Sequence, residues 1–122
     1  MDSKAFGLLA EGMAARTLTR LGYRILARNV RLPGGELDLV AKQGETLVFC
    51  EIKARRTPLT GAPGEAIDAR KQARLTRLAI AYLRAHPELA NCDCRFDAVL
   101  LWREGWHWQT EVIPDAFRPG WE

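Results

Sequence analysis

The chain has 122 residues, 48% hydrophobic and 27% charged, with a net charge of +3 and a pI near 9.0. This length fits one domain, residues 1–122, and the composition excludes a disordered chain. No apolar run reaches the roughly 20 residues that a membrane helix needs, and the first residues lack a signal-peptide core, so we expect a cytoplasmic protein with no membrane partner. The mild positive charge permits a polyanionic partner without establishing one.

Residue counts also argue against several enzyme classes. Ser3 is the only serine, and it stands at a terminus expected to fray, which argues against a serine hydrolase. Neither of the glycine-rich motifs GxxxxGK[ST] and GxGxxG occurs, so nucleotide-loop enzymes are unsupported. The chain has three cysteines, an odd number that is typical of a reducing compartment.

The first predicted element is an amphipathic helix over residues 5–21, which Gly22 is expected to cap. Its apolar face is formed by five residues: Phe6, Ala10, Ala14, Leu18 and Leu21. Glu11 lies seven residues before Leu18, and two helical turns therefore bring it to the border of that face. A solvated glutamate and a functional one are both compatible with this position.

Three strands are predicted next. The first covers residues 23–30, and a loop with proline and glycine follows at residues 31–35. A β-hairpin is then expected, with strands over residues 35–41 and 47–53 and its turn at residues 42–45.

The second half of the chain starts with a long connection, residues 55–64, which is rich in Pro, Gly and Thr. We expect no regular structure there, and a position directly after the hairpin would suit a flap over a site. A second helix is predicted over residues 65–85. Its inward face is formed by Lys71, Leu75, Leu78 and Tyr82, and another face, about a third of a turn away, by Arg70, Arg74, Arg77 and Arg84.

Two more strands are predicted, at residues 94–102 and 106–113, with a turn at residues 103–105 between them. Trp106 and Trp108 would share a face of the last strand, and the tail from residue 114 onward is expected to be irregular. The order α-β-β-β-α-β-β indicates an α/β domain whose mixed sheet is flanked by helices. The connection through the second helix indicates that part of the sheet is parallel.

Three charged residues lie among the apolar residues of the hairpin: Asp38 in the first strand, and Glu51 and Lys53 in the second. Charged side chains are rarely buried without a partner or a metal. Residues two apart share a strand face, so Glu51 and Lys53 point the same way. An even turn, of two residues at 43–44 or four at 43–46, would put Asp38 on that face too, whereas an odd turn would separate them.

Asp38 and Glu51 would repel each other at close range, which favours a shared proton or a cation between them. Mg²⁺ typically binds one or two carboxylates together with waters and substrate phosphate. We therefore predict a Mg²⁺ or Mn²⁺ site formed by Asp38, Glu51 and the backbone carbonyl of Ile52. Lys53 would position the attacking water and offset phosphate charge. The alternative interpretation is an ion pair of Lys53 with either acid on a solvated sheet face.

Several separated motifs resemble, in order, those of the YraN family of small bacterial proteins, which is itself similar to the PD-(D/E)-x-K nucleases and archaeal Holliday-junction resolvases. They are residues 10–14, 21–29, 35–40, 47–55 and 95–97, together with Lys71. The resemblance implies a restriction-endonuclease-like α/β core. Leu37 stands before Asp38 where the name of the motif has proline, which many members of the superfamily lack.

By position, the resemblance implies that Asp38, Glu51 and Lys53 are catalytic and that Asp38 and Glu51 bind the metal. Glu11 matches the acid of the first helix that joins the metal site in the resolvases. Lys71 would reach the rim of the site, or else would be a surface lysine whose stem covers apolar neighbours.

Basic residues after the hairpin and on the second helix are candidates for phosphate contacts: Arg55, Arg56, Arg70, Lys71, Arg74 and Arg77. A solvated helix face is the other interpretation of the helical arginines. Asp97, in the strand after this helix, is either an acid that supports the metal site from behind or a structural partner for an arginine, and the structural role is favoured.

The resulting hypothesis is a metal-dependent DNA endonuclease that hydrolyses phosphodiester bonds, on branched or processed DNA. The alternative is a nucleic-acid-binding or protein-interaction module that keeps the nuclease fold without turnover. A homodimer whose two sites cut opposed strands is left open by the sequence.

Overall fold

The structure, a computed structural model, describes residues 2–55 and 67–119. Two helices and five strands follow in the predicted order: α1 (Ser3–Arg20), β1 (Arg24–Leu32), β2 (Gly35–Gln43), β3 (Thr46–Arg55), α2 (Ala69–Ala85), β4 (Asp93–Glu104) and β5 (His107–Phe117). A short 3-10 helix, Pro87–Leu89, precedes β4. The predicted flap falls outside the described residues beyond Arg55.

The five strands form one mixed sheet in the order β1-β2-β3-β4-β5. All neighbouring strands are antiparallel except β3 and β4, which are parallel and are joined through α2. The predicted α/β fold with a partly parallel sheet is therefore confirmed, and the architecture is compatible with a restriction-endonuclease-like core.

One face of the sheet is covered by α1. Ala14 and Leu18 of this helix are fully buried and share a core cluster with Leu39, Val48 and Val99 of three strands. Small residues on the helix allow it to lie close to the strands. Neither helix in the described part of the chain is both long and apolar enough to cross a membrane.

The opposite face of the sheet is covered by α2. Leu75 and Leu78 are buried in a second core cluster with Val40 and Phe49, and Tyr82 meets Phe49 edge-on, with ring centroids 5.9 Å apart. The predicted inward face of this helix is therefore confirmed. Since the two helices lie on opposite faces, a side chain between β2 and β3 can meet groups from both.

The ends of α1 are set by a capping residue and a glycine. The side chain of Asp2 accepts a hydrogen bond from the Ala5 N–H at the start. At the end, the Gly22 N–H donates to the Thr19 carbonyl and the Tyr23 N–H to Leu18, and Gly22 has φ 94°. This Schellman arrangement confirms the predicted cap. Leu21 was wrongly placed on the apolar face, because it is the last residue of the turn and 56% exposed.

Residue 65 was the wrong starting point for α2. The helix begins at Ala69, because Asp68 caps it and accepts a hydrogen bond from the Lys71 N–H at 2.8 Å. Ile67, just before the cap, is buried in the core on the α2 side. The cap and this buried anchor determine where the first turn of α2 lies.

The link between β1 and β2 is shorter than predicted. Residues 31–35 were expected to form a loop, yet Leu32 pairs with Gly35, so only Pro33 and Gly34 form the turn. Gly34 has φ 95°, a conformation that glycine adopts without strain. Arg31 is therefore a strand residue, and it lies opposite Glu36 at 3.7 Å.

The last two strands are longer than predicted. Glu104 pairs with His107, which moves the turn to residues 105–106 and leaves Trp106 91% exposed. Trp106 and Trp108 therefore do not share a strand face, and Trp108 packs on Phe6 instead, with ring centroids 5.3 Å apart.

The tail was expected to be irregular from residue 114, but β5 continues to Phe117. Because β5 is an edge strand, Pro114 can stand in it although it has no N–H to donate.

Asp97 is the centre of a hydrogen-bond network at one end of the sheet. Its buried carboxylate accepts hydrogen bonds from Arg95, the Tyr23 hydroxyl and the Asp115 N–H, all at 2.7–2.9 Å. Arg95 also donates to the Gln43 side chain. The predicted structural pairing of Asp97 with an arginine is confirmed, and the network joins three strands, β2, β4 and β5, to Tyr23 just before β1.

Candidate active site between the two helices

The turn of the central hairpin is even, as the site hypothesis requires. Gln43 pairs with Thr46 and Lys42 with Leu47, which leaves a two-residue turn at residues 44–45. The pairing of Lys42 with Leu47 is the one expected for a four-residue loop at residues 43–46. The additional pair of Gln43 with Thr46 shortens that loop to two residues without changing the register. The last pair of the two strands is Leu39 with Cys50, so Asp38 and Glu51 are the next residues along β2 and β3.

The alternation of β2 is interrupted at Asp38. Leu37 and Val40, three residues apart, lie in the same core cluster on the α2 side, whereas Leu39 lies in the cluster of the other face. Strict alternation would put residues three apart on opposite faces. On β1 the residue across from Asp38 is Asn29, which has φ 52°. The irregular backbone thus removes Asp38 from both cores.

The carboxylate of Asp38 turns toward β3 rather than into either core. Its Oδ2 accepts a hydrogen bond from the Ile52 N–H at 2.9 Å. This hydrogen bond follows Leu39 and Cys50, the last backbone pair of β2 and β3. The side chain of Asp38 therefore connects the two strands where their backbone pairing ends. Asp38 is thereby held next to the backbone of Ile52 and the carboxylate of Glu51.

Glu51 is buried, with 7% of its surface exposed, and its partner comes from α2. Lys71 Nζ lies 2.5 Å from Glu51 Oε1, and little of either side chain is exposed. Burial alone lowers the pKa of Lys71, but its hydrogen bonds to Glu51 and Lys53 and the charges of Glu51 and Asp38 outweigh burial and raise it. The ammonium of Lys71 is therefore firmly protonated.

Lys53 lies beside this ion pair, two residues after Glu51 on the same strand. A hydrogen bond with Lys71, partial burial and the positive charge of Lys71 all lower the pKa of Lys53, and the charge of Glu51 opposes them only in part. Two lysines side by side favour loss of one proton, and the amine of Lys53 is the one that gives it up more readily.

Asp38 is the carboxyl group whose ionisation this environment resists. Burial and the negative charge of Glu51 raise its pKa from 3.8 to about 7, with a smaller contribution from Glu11. The hydrogen bond from Ile52 and the charge of Lys71 act in the opposite direction. Added positive charge at this point would favour the ionised form of Asp38.

Glu11 approaches Asp38 from α1. It is half-buried, and its Oε2 is a buried oxygen without a hydrogen-bond partner. A buried carboxylate oxygen is usually hydrogen-bonded or bound to a metal. This oxygen could therefore serve as a further ligand for a cation beside Asp38.

The donor set fits a hard divalent cation, because two carboxylates and an orphaned carboxylate oxygen supply the oxygen ligands that Mg²⁺ and Mn²⁺ prefer. Within residues 2–55 and 67–119, no three acidic, histidine or cysteine side chains already converge at ligand distance. Asp38 and Glu51 would thus hold the cation, with Glu11 and the backbone carbonyl of Ile52 as further oxygen donors.

Comparison with known sequences places the chain in a family. A family model described as uncharacterised protein family UPF0102 matches residues 10–101. The chain belongs to the UPF0102 family. The resemblance to the YraN family is thereby confirmed. The match includes Glu11, Asp38, Glu51, Lys53 and the helix that carries Lys71.

UPF0102 proteins from several organisms are similar to this chain. One from Magnetococcus marinus is 50% identical over 121 residues, covering 99% of this chain and 98% of the relative. One from Moorella thermoacetica is 45% identical over 119 residues, covering 96% and 98%. A third, from Symbiobacterium thermophilum, is 52% identical over 97 residues, covering 80% and 81%. The similarity extends over nearly the whole length of the first two relatives.

The predicted phosphate-contacting residues of this UPF0102 protein fall in two groups. Arg55, at the end of β3, and three arginines of α2 are exposed: Arg70, Arg74 and Arg77. Lys71 is turned inward to Glu51 instead of outward, and Arg56 lies outside the described residues.

Two features of the site were missed from the sequence. The pairing of Lys71 with Glu51 joins residues 20 positions apart, and its sequence signal is Asp68, a helix-capping residue three positions before Lys71. Asn29, opposite Asp38, has a left-handed backbone conformation, which asparagine tolerates better than most residues.

Proposed function

We propose that this UPF0102 protein is a divalent-metal-dependent endonuclease that hydrolyses phosphodiester bonds of DNA. The observation that carries the proposal is the meeting of Asp38, Glu51, Lys53 and Lys71 from three elements at one point between the two core clusters. Acids and lysines held together in this way, with the pKa of Asp38 raised to about 7, are typical of functional sites. The coordination chemistry of the acids favours Mg²⁺ or Mn²⁺ as cofactor.

The acids have the role of holding the cofactor. Asp38 and Glu51 bind it, and Glu11 and the Ile52 carbonyl complete the oxygen donors on the protein side. The bound cation supplies Lewis-acid stabilisation of negative charge on the scissile phosphate. The hydrogen bond from Ile52 to Asp38 keeps one carboxylate oxygen engaged and so orients the other toward the site.

Lys53 has the role of proton acceptor. The lowered pKa of Lys53 favours its neutral amine over the ammonium, and a neutral amine can take a proton from the attacking water. The water oxygen forms a bond to phosphorus, the bond between phosphorus and the leaving sugar oxygen breaks, and that oxygen takes a proton from solvent. Lys53 then returns its proton to solvent.

The substrate side of the proposal rests on positive charge. Arg55 and the exposed arginines of α2 lie on the elements that carry Glu51 and Lys71, so a DNA backbone bound to them would run past the site. Branched or processed DNA is the proposed substrate. Three free cysteines among the described residues suit the cytoplasm, and a homodimer would give two sites for opposed strands.

The test is cleavage of labelled branched, flapped and single-stranded DNA by purified protein in Mg²⁺ or Mn²⁺. We expect cleavage of at least one substrate by the wild type, no cleavage in EDTA, and a loss of at least about 100-fold in Asp38→Asn. Glu36→Gln, which removes an exposed carboxylate from the same strand, is the matched control and should keep wild-type activity. Identical behaviour of wild type and Asp38→Asn on every substrate would refute the proposal.

A second candidate is a DNA-binding module without turnover. It is favoured by the ion pair with Lys71, which already neutralises Glu51, and by the lack of a ready-made three-ligand cluster among the described residues. Salt-dependent DNA binding without cleavage in any metal, and unchanged in Glu51→Gln, would support this candidate over the nuclease.

A further inference from the structure

The ion pair between Lys71 and Glu51 engages the same carboxylate that the proposed metal site needs. Lys71 Nζ lies 2.5 Å from Glu51 Oε1, and the exposed fractions of the two side chains are 19% and 8%. A divalent cation and an ammonium at one carboxylate repel each other, most of all where little water screens them. The two cations therefore compete for the negative charge of Glu51.

Lys71 also occupies an unfavourable place for a cation. It is the third residue of α2, in a first turn that contains no acidic residue beyond the cap Asp68. The exposed N–H groups of a first turn carry partial positive charge and disfavour a lysine there. Glu51 and Asp38 are the groups whose negative charges hold the ammonium of Lys71 in place.

We propose that Lys71 is a built-in competitor of the metal, which binds Glu51 in the protein alone and is displaced when a divalent cation binds between Asp38 and Glu51. This inference rests on the proposed metal site and adds the group that regulates its affinity. The long, flexible stem of lysine allows the ammonium to leave Glu51 while α2 stays packed through Leu75 and Leu78. Lys71 is thus a positioning residue, and the affinity of the site for metal is set by how tightly it holds Glu51.

The experiment is a calorimetric titration of the full chain with Mn²⁺ at pH 8, without DNA. Lys71→Met removes the ammonium and keeps an apolar side chain of similar length. We expect this variant to bind Mn²⁺ roughly tenfold more tightly than the wild type, because the largely buried ion pair with Glu51 no longer has to be broken. Lys71→Gln keeps a hydrogen-bond donor for Glu51 and should also bind Mn²⁺ more tightly than the wild type. It provides the test in the case that Lys71→Met folds poorly.

Two controls locate the effect at Glu51. Arg74→Met removes one exposed positive charge from the same helix, and we expect less than a twofold change because solvent screens that charge. In a Glu51→Gln background, Lys71→Met should give no gain in Mn²⁺ affinity, since the contested carboxylate is gone.

The outcomes separate this inference from the proposed function. Equal or weaker Mn²⁺ binding by Lys71→Met and Lys71→Gln, with clear binding by the wild type, would overturn the competition and leave the metal site intact. No saturable Mn²⁺ binding by any of the proteins would overturn both. Tighter binding in the Lys71 variants but not in Arg74→Met would support the inference.

Discussion

The carboxyl group of Asp38 is held where ionisation is unfavourable. Burial and the neighbouring charge of Glu51 raise its pKa to about 7, although Ile52 and Lys71 partly offset them. The folded chain therefore retains a proton on Asp38 that the unfolded chain loses near pH 4. The favourable contribution of this group to stability is present below about pH 4 and is lost as the pH rises through about 7.

Replacing Asp38 by asparagine should therefore stabilise the protein at pH 8. The amide oxygen still accepts the hydrogen bond from Ile52, and the unfavourable buried charge is gone, so we expect the free energy of unfolding to rise by about 1–3 kcal/mol. The gain should shrink toward zero as the pH falls from about 8 to about 4. Urea unfolding in EDTA across this range is the measurement.

Glu36→Gln serves as the control for that series, since this exposed carboxylate should change stability by less than about 0.5 kcal/mol at any pH. If Asp38→Asn were less stable than the wild type at pH 8, Asp38 would be stabilised as an anion in the folded protein, against this account.

At the scale of single elements, the first turn of α2 connects the fold to the site. Asp68 caps the helix, Ile67 anchors it in the core, and Lys71 follows within the same turn. The position of the ammonium at Glu51 thus depends on where the helix begins. A shift of one residue would rotate Lys71 by about 100° about the helix axis and remove it from the ion pair.

Asp68→Ala tests this dependence. Loss of the cap should lower the free energy of unfolding by about 1 kcal/mol and increase amide hydrogen exchange in the first turn of α2. Asp68→Asn keeps a capping oxygen and should stay close to the wild type in both measurements. Equal stability and equal exchange of the alanine and asparagine variants would show that the cap does not order this turn.

The ends of elements show why the sequence predicts some features and not others. The cap at Gly22 follows from local chemistry and was predicted. The start of α2 was placed too early because periodicity does not distinguish a helical residue from the anchor Ile67 before the cap. By sequence alone Pro114 indicates the end of a strand, since only the sheet order reveals that β5 is an edge where proline is tolerated.

Across the whole molecule, the hairpin register and the sheet decide which charges meet. An even turn was required by the sequence argument, and the two-residue turn meets that requirement for Asp38 and Glu51. The contact of Lys71 with Glu51 is a tertiary contact across the α2 crossover, so strand alternation and helix periodicity alone do not predict it. Periodicity showed only that Lys71 faces inward.

The distribution of arginines predicts where DNA binds. Replacing the three exposed arginines of α2 by glutamine (Arg70, Arg74 and Arg77) should weaken duplex binding and reduce the slope of log K against log salt by about 2–3, since each phosphate contact contributes about 0.9. A matched triple variant with the same charge change on α1 and β1 (Arg16, Arg20 and Arg24) should keep the wild-type slope. Fluorescence anisotropy at several salt concentrations is the measurement, and equal slopes for both variants would place the DNA elsewhere.

The most direct test of the central claim is a crystal structure of the protein soaked in Mn²⁺, with anomalous diffraction collected to locate the metal. We expect an anomalous peak between the carboxylates of Asp38 and Glu51, with the ammonium of Lys71 withdrawn from Glu51. A peak at another place, or a Glu51 still paired with Lys71 and no peak beside it at saturating Mn²⁺, would contradict it.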